Sequence, residues 1–362
     1  MRRKATALLL AAGVLFAVGL APASAQKQTL RLAHWAGPAH QMVQTQEAWI
    51  KTIEVASGGN LTVVVMAAPA KPEGQYDLIK NGVRDLVWAV PSYTHGLFDM
   101  LQVTELPFLC PSSTVCSPIL WKWYAKYGLA TKEFPDTTLL TTFTSGPFLV
   151  HMTKVARTLE AIRALKLRVA GASTPIAKAL GMPIVDLPAT DTYEMLQRGT
   201  VGGTLLPWEA VKSFRLTELL KFHLEVPGGL FTSSFMIVGN TMAIDRLTPS
   251  NKAALLKASG EAGSALFGKA WDAADEQARN DAKLRGNAIE TIAPAELDRW
   301  RPMLQFMTDE WLKKAQAKGL DGQKMLDDLK VMIKAASSGC PQRTSADGTA
   351  GIAPHEQGEF DE

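Results

Sequence analysis

The chain has 362 residues, with 38 Lys and Arg against 35 Asp and Glu and a formal charge of +3. Arg2, Arg3 and Lys4 supply that excess, because without residues 1–25 the balance is 38 − 3 = 35 against 35. A formally neutral body gives no electrostatic reason to hold nucleic acid or an anionic membrane surface, so neither is expected as a partner.

At the amino end, three cations precede an apolar run that reaches Ala21; Pro22 and the small-residue site Ala23-Ser24-Ala25 follow. This is the pattern of a cleaved secretory signal, and the mature chain is expected to start at Gln26 in the periplasm. The body, residues 26–336, is about 310 residues long, more than one hydrophobic core organises, so two lobes are expected. Residues 30–33 read as a strand, 41–57 as an amphipathic helix, 61–66 as a strand, 75–81 as a helix and 85–90 as a buried strand. That alternation implies an α/β sheet of parallel strands.

After a break at Ser145-Gly146-Pro147 the pattern restarts. Residues 159–164, 175–180 and 190–198 read as helices, and 167–170, 184–187 and 201–205 as strands. One long helix is expected over 248–284, started by Thr248-Pro249-Ser250, with two more over 294–318 and 321–336. The first lobe is expected to hold residues 26–146 with 233–275 returning to it, the second 147–232 with 276–336. From Ser337 onward the chain is polar and ends in Glu356, Glu359, Asp361 and Glu362, the composition of a disordered tail. In an oxidising compartment Cys110 and Cys116 fit either a short bridge or two ordinary thiols, and Cys340 is left over.

No nucleophile elbow, zinc-protease helix or phosphate-cradling glycine loop is present, and no cofactor or metal is implied. His34 and His40, six residues apart around Gly37-Pro38, do not share a helix face and read as local hydrogen-bonding groups. Aromatic residues instead collect at strand ends: Trp35 after the first strand, Trp88 and Tyr93 around the end of the third, Phe148 after the break and Trp208 after the 201–205 strand. Ligands of open α/β sheets gather beyond the carboxyl ends of strands, and a cleft between two lobes is the natural pocket. Arg168 lies between Leu167 and Val169 in an apolar strand. A buried guanidinium needs an anion, which a ligand or a structural partner such as Asp186 or Glu209 could supply.

The segment 166–171, Lys-Leu-Arg-Val-Ala-Gly, resembles the strand motif of solute receptors of tripartite ATP-independent periplasmic (TRAP) transporters, the DctP-type family. Residues 75–82 with 85–93, the Glu105-Leu106-Pro107-Phe108 element and the run from Tyr193 through Gln197 and Gly199 to Val201 are similar to further motifs of that family, in the same order. The resemblance implies a two-lobed periplasmic binding protein with a long helix crossing both lobes, which binds a small organic carboxylate without catalysis and hands it to the membrane permease subunits. It also implies that Arg168 forms a two-pronged salt bridge with the carboxylate, for which a planar guanidinium is suited. Some sugar-acid-binding members carry a second arginine where this chain has Phe148, an asparagine where it has Leu206 and an acid near Val90. Apolar residues here favour a monocarboxylate with an apolar or aromatic body. His151 and Tyr93 are the neutral groups available to a second carboxylate. A monomer is expected, and an ABC-type receptor or a secreted hydrolase or isomerase is the alternative reading.

Overall fold

The computed structural model describes residues 27–338. The signal and its cleavage site, and the tail beyond Ser338 with Cys340, lie outside them. Ser337 and Ser338, expected in the tail, end the helix Gly322–Ser338, their hydroxyls donating to the carbonyls of Ile333 and Lys334.

Two sheets form the lobes. The first has β1 (Gln28–His34), β2 (Leu61–Ala67), β3 (Leu86–Ala89), β4 (Thr137–Thr144) and, from much later in the chain, β10 (Ser234–Asn240), in the order β2-β1-β3-β10-β4. The second has β5 (Leu149–Met152), β6 (Leu167–Val169), β7 (Ile184–Asp186), β8 (Gly203–Leu206), β9 (Phe222–Glu225) and β11 (Ala288–Thr291), in the order β11-β9-β5-β8-β6-β7. β1 pairs in parallel with β2 and β3, as β6 does with β7 and β8.

The expected all-parallel sheets are corrected by two strands. β10 runs antiparallel to β3 and β4, and β5 antiparallel to β8 and β9. The reason is the route between lobes. β4 and β9 each end at the cleft and pass almost straight into the other sheet, so β5 and β10 start at the cleft while the parallel strands around them finish there. The two crossings are tied together: Ser145 N donates to Ser233 O at 2.8 Å, Phe148 N to Phe231 O at 2.7 Å, and Ser233 N to the Ser145 hydroxyl at 2.9 Å.

A third connection is the helix Gly260–Leu284, whose Phe267 and Trp271 belong to the core of the first lobe and whose Ala278 and Ala282 belong to that of the second. The single helix expected over 248–284 is two, Pro249–Ala258 and Gly260–Leu284. The break falls where Gly260 takes φ +58°, a left-handed conformation that glycine adopts without penalty. The Ala258 carbonyl next to it accepts the Trp49 indole N–H at 3.0 Å.

The helix Pro294–Ala317 has 24 residues and so runs about 36 Å. Leu297, Trp300 and Leu304 pack in the second lobe, Trp311 and Ala315 in the first. It thereby carries the chain back, and the Gly322–Ser338 helix packs on the first lobe rather than the second as expected. Met325, Leu326, Leu329 and Ile333 enter that core, and Trp123 donates to Met325 O at 2.7 Å. The helix that holds Trp123, Ser113–Lys126, escapes sequence reading because Pro118 interrupts it and both its faces are apolar. Cys110 and Cys116 are bridged, pinning the loop before this helix to its first turn.

Candidate functional site

The carboxyl ends of the parallel strands face each other across the cleft and enclose a narrow cavity of about 50 Å³. Trp35, Trp88, Val90 and Tyr93 line it from the first lobe, Phe148, Arg168 and Leu206 from the second, and Phe235 and Trp271 from the β10 crossing and the cross-lobe helix. Of the eight residues singled out from the sequence, Trp35, Trp88, Tyr93, Phe148, Arg168 and Leu206 therefore meet in one place.

Arg168 is 1% exposed. Its Nε donates to Leu187 O at 2.8 Å, while Nη2 is buried without a hydrogen-bond partner among the described residues. Neither structural partner weighed from the sequence pairs with it: Asp186 accepts from the Thr174 hydroxyl, and Glu209 from Ser213. Burial pulls the guanidinium below its ordinary range, opposed first by the adjacent Tyr93 phenol and then by the more distant Asp186 and Asp191. A charge in that position costs free energy until an anion offsets it.

The walls are aromatic. Trp35 stacks on Trp88 with centroids 4.4 Å apart, Phe235 on Trp271 at 4.8 Å, and Phe148 lies 4.2 Å from Phe231. The indole N–H groups of Trp35, Trp88 and Trp271 are buried without a partner among the described residues. Glu209 and His40 also line the cavity. His40 caps the helix Gln41–Ala56, its Nδ1 accepting from Met42 N at 3.2 Å, and burial holds the imidazole down to about 3. The 3.5 Å contact between that Nδ1 and Glu209 Oε1 is therefore not an ion pair, since the ring is neutral and its Nδ1 lone pair is committed.

His151 and Trp208, expected at the site, lie behind its wall. His151 Nε2 donates to Leu206 O at 3.1 Å and its Nδ1 meets His223 Nδ1 at 2.7 Å, so both ring nitrogens are used inside the second lobe. The Trp208 indole turns away to donate to Glu225 at 3.0 Å and packs on the same two histidines. His151 pairs with Thr204, two residues further from the cleft than the Leu149–Leu206 pair, and Trp208 opens the helix Trp208–Ser213 beyond the strand, so neither side chain reaches the cavity.

The cleft closes on a glycine. Gly171, just after β6, has φ +57°, and a Cβ there would stand 2.7 Å from the Ser92 hydroxyl and 3.2 Å from the Tyr93 ring of the facing lobe. Gly171→Ala combines backbone strain of about 1–2 kcal/mol with a contact that holds the lobes apart. A Kd for benzoate raised about tenfold by calorimetry is expected, and an unchanged Kd would show that this contact is not needed.

Residues 32–314 match bacterial extracellular solute-binding protein family 7, DctP. The chain belongs to this family. As a DctP-family protein it is a TRAP solute receptor, and the structural likeness agrees. A TRAP periplasmic solute-binding protein of Bordetella bronchiseptica, solved with (R)- and (S)-mandelate, is 29% identical with a TM-score of 0.81, covering 85% of this chain and 99% of its own. A TRAP solute-binding protein of Rhodoferax ferrireducens, solved with benzoate, is 27% identical with a TM-score of 0.80, covering 86% and 99%. A curated relative, the outer membrane transporter protein TsaT of Comamonas testosteroni, is 24% identical over 341 residues, 92% of this chain and 98% of that protein. No described helix of this DctP-family chain is long and apolar enough to cross a membrane.

Sequence reasoning passed over Trp271, Phe235 and Glu209 as cavity residues. Trp271 sits inside the expected long helix, where an apolar residue gives no sign of facing a cavity, and Phe235 in β10, a strand that was not read from the sequence. Glu209 carried a signal, an acid one residue after an aromatic at a strand end, but it pointed equally to a partner for Arg168.

Proposed function

We propose that this DctP-family receptor binds a small monocarboxylate with an apolar or aromatic body in the periplasm and delivers it, as a monomer and without catalysis, to the TRAP permease subunits. The observation that carries the reading is a fully buried guanidinium whose Nη2 has no hydrogen-bond partner and which forms no ion pair with an acid among the described residues, facing walls of Trp, Phe and Leu. Arg168 takes the carboxylate through its fork, and Trp35, Trp88, Tyr93, Phe148 and Leu206 exclude water from the body. The relatives solved with mandelate and benzoate support this class. Burial in a closed cleft strengthens the ion pair, so the two strand crossings and the helix Gly260–Leu284 are the proposed hinge. Export by the signal, with cleavage after Ala25, belongs to the same reading.

A thermal-shift series tests it. A ligand at about 100 times its Kd stabilises the native state by about 2.7 kcal/mol, a rise of roughly 4 °C in Tm for a body of this size. Benzoate or mandelate is expected to produce that rise and succinate or N-acetylneuraminate is not. Stabilisation by succinate alone would overturn the monocarboxylate reading.

A further inference from the structure

Arg168 accounts for one end of the cavity, and Glu209 is a second buried polar group that carboxylate capture leaves unused. Glu209 opens the short helix Trp208–Ser213, is 1% exposed and lines the cavity. Its position is fixed from two sides: its backbone N–H donates to Asp275 Oδ1 at 2.6 Å, and its Oε1 accepts from the Ser213 hydroxyl. Its Oε2 is buried with no hydrogen-bond partner among the described residues. Among the described residues no lysine or arginine lines the cavity apart from Arg168, and His40 beside Glu209 is neutral with its Nδ1 taken by Met42 N. A buried carboxyl oxygen without a partner costs free energy much as Arg168 Nη2 does, and a ligand group that donates a hydrogen bond would offset it.

The groups around the cavity narrow what that donor is. Trp88 and Trp271 line the same space, and each holds a buried indole N–H that has no acceptor among the described residues. An ammonium on the ligand would satisfy Glu209 but offers no lone pair to an indole. A hydroxyl donates once and accepts as well, so it can serve a carboxyl oxygen and an indole N–H together. Burial also lifts the Glu209 carboxyl to about 7, which lowers its demand for a full counter-charge near neutral pH and suits a neutral donor.

We infer that Glu209 is a specificity-determining residue of this cavity, which reads a hydroxyl on the body of the acid whose carboxylate Arg168 holds. This rests on the monocarboxylate reading above and narrows the substrate class to hydroxy-substituted apolar or aromatic acids. Discrimination follows the general asymmetry of buried polar sites: one built to bond a hydroxyl loses more when the hydroxyl is absent than an apolar pocket loses when it is present.

The test is calorimetry on the full mature chain with benzoate, 3- and 4-hydroxybenzoate, 3- and 4-fluorobenzoate and 4-(aminomethyl)benzoate. In the wild type, one hydroxybenzoate is expected to bind at least tenfold tighter than both benzoate and the fluorobenzoate of the same position, which has similar size but no donor. In Glu209→Leu, with folding checked by thermal melting, the ratio of benzoate to hydroxybenzoate Kd is expected to fall below about threefold. A hydroxyl preference that survives in Glu209→Leu, or hydroxy- and fluorobenzoates that bind alike in the wild type, overturns the role of Glu209 while leaving carboxylate capture intact. Tighter binding of 4-(aminomethyl)benzoate than of either hydroxybenzoate overturns the hydroxyl assignment in favour of a cation. If none of the six acids binds, the monocarboxylate reading fails and the inference fails with it. The wild-type comparison needs no variant, so a misfolded Glu209→Leu chain does not remove the test.

Discussion

Arg168→Met is expected to raise the Kd for benzoate by about 30- to 4,000-fold, because truncating one partner of a buried charge pair costs about 2–5 kcal/mol. The large end of that range applies here, since among the described residues no other lysine or arginine lines the cavity to take over the carboxylate. The same substitution is expected to leave the melting temperature of the unliganded protein nearly unchanged. In the native fold the Arg168 guanidinium is held by Leu187 O and the neighbouring Tyr93 phenol, neither of them an anion, and burial already works against its charge. Methionine fills similar volume and removes a buried charge, an exchange that is often neutral or stabilising. Arg168→Lys is expected to fall between wild type and Met, because an ammonium keeps the charge but loses the planar fork and its paired donors. Calorimetry and thermal melting on the same samples decide it. A Met variant that binds within about fivefold of wild type removes Arg168 from the carboxylate site, and one that binds nothing because it no longer folds makes the arginine a structural residue.

That contrast between binding and folding is also where sequence reading reaches and where it stops. Arg168 was legible because a charge among Leu167 and Val169 is expensive, and expense in a strand flags either a ligand or a partner. Choosing between the two needed the positions of Asp186 and Glu209, which no spacing in the sequence fixes. The parallel strands β1, β2, β3, β6 and β7 were legible from their alternation with helices. β10 was not read from the sequence and nothing in the stretch after Phe148 marked the direction of β5, because direction is set by the route across the cleft and not by the apolar pattern. His151 and Trp208 show the same limit at the level of side chains. His151 lies in the strand that Phe148 precedes and Trp208 next to Pro207, yet each faces the interior of the second lobe, where hydrogen bonds to Leu206, His223 and Glu225 take up their polar atoms. Glu209 is the converse case, a residue weighed as structural that the fold turns into the cavity.

Gly146→Ala is expected to destabilise the protein by about 3 kcal/mol or more, a fall of roughly 4 °C or more in Tm. Gly146 lies in the first crossing between lobes, and a Cβ built there would stand 1.6 Å from Asp275 Oδ2 and 2.8 Å from its Cγ. Asp275 is 7% exposed and belongs to the cross-lobe helix Gly260–Leu284, so its side chain has little room to yield. Two of the four connections between lobes are therefore in contact at this point, and a methyl group forces them apart. Gly37→Ala is the control: a Cβ at Gly37 meets nothing within 4 Å and its φ lies outside the left-handed region, so its Tm is expected to match wild type. The damage is expected to reach the site as well, because Asp275 Oδ1 accepts from the backbone N–H of Glu209 at 2.6 Å and so fixes the start of the helix that presents Glu209 to the cavity. Weaker binding in Gly146→Ala should accordingly be larger for a hydroxybenzoate than for benzoate, even at temperatures well below its lowered Tm. A Gly146→Ala protein that melts with the wild type would mean that the crossing and the helix move independently, and the hinge would then rest on the paired strands alone.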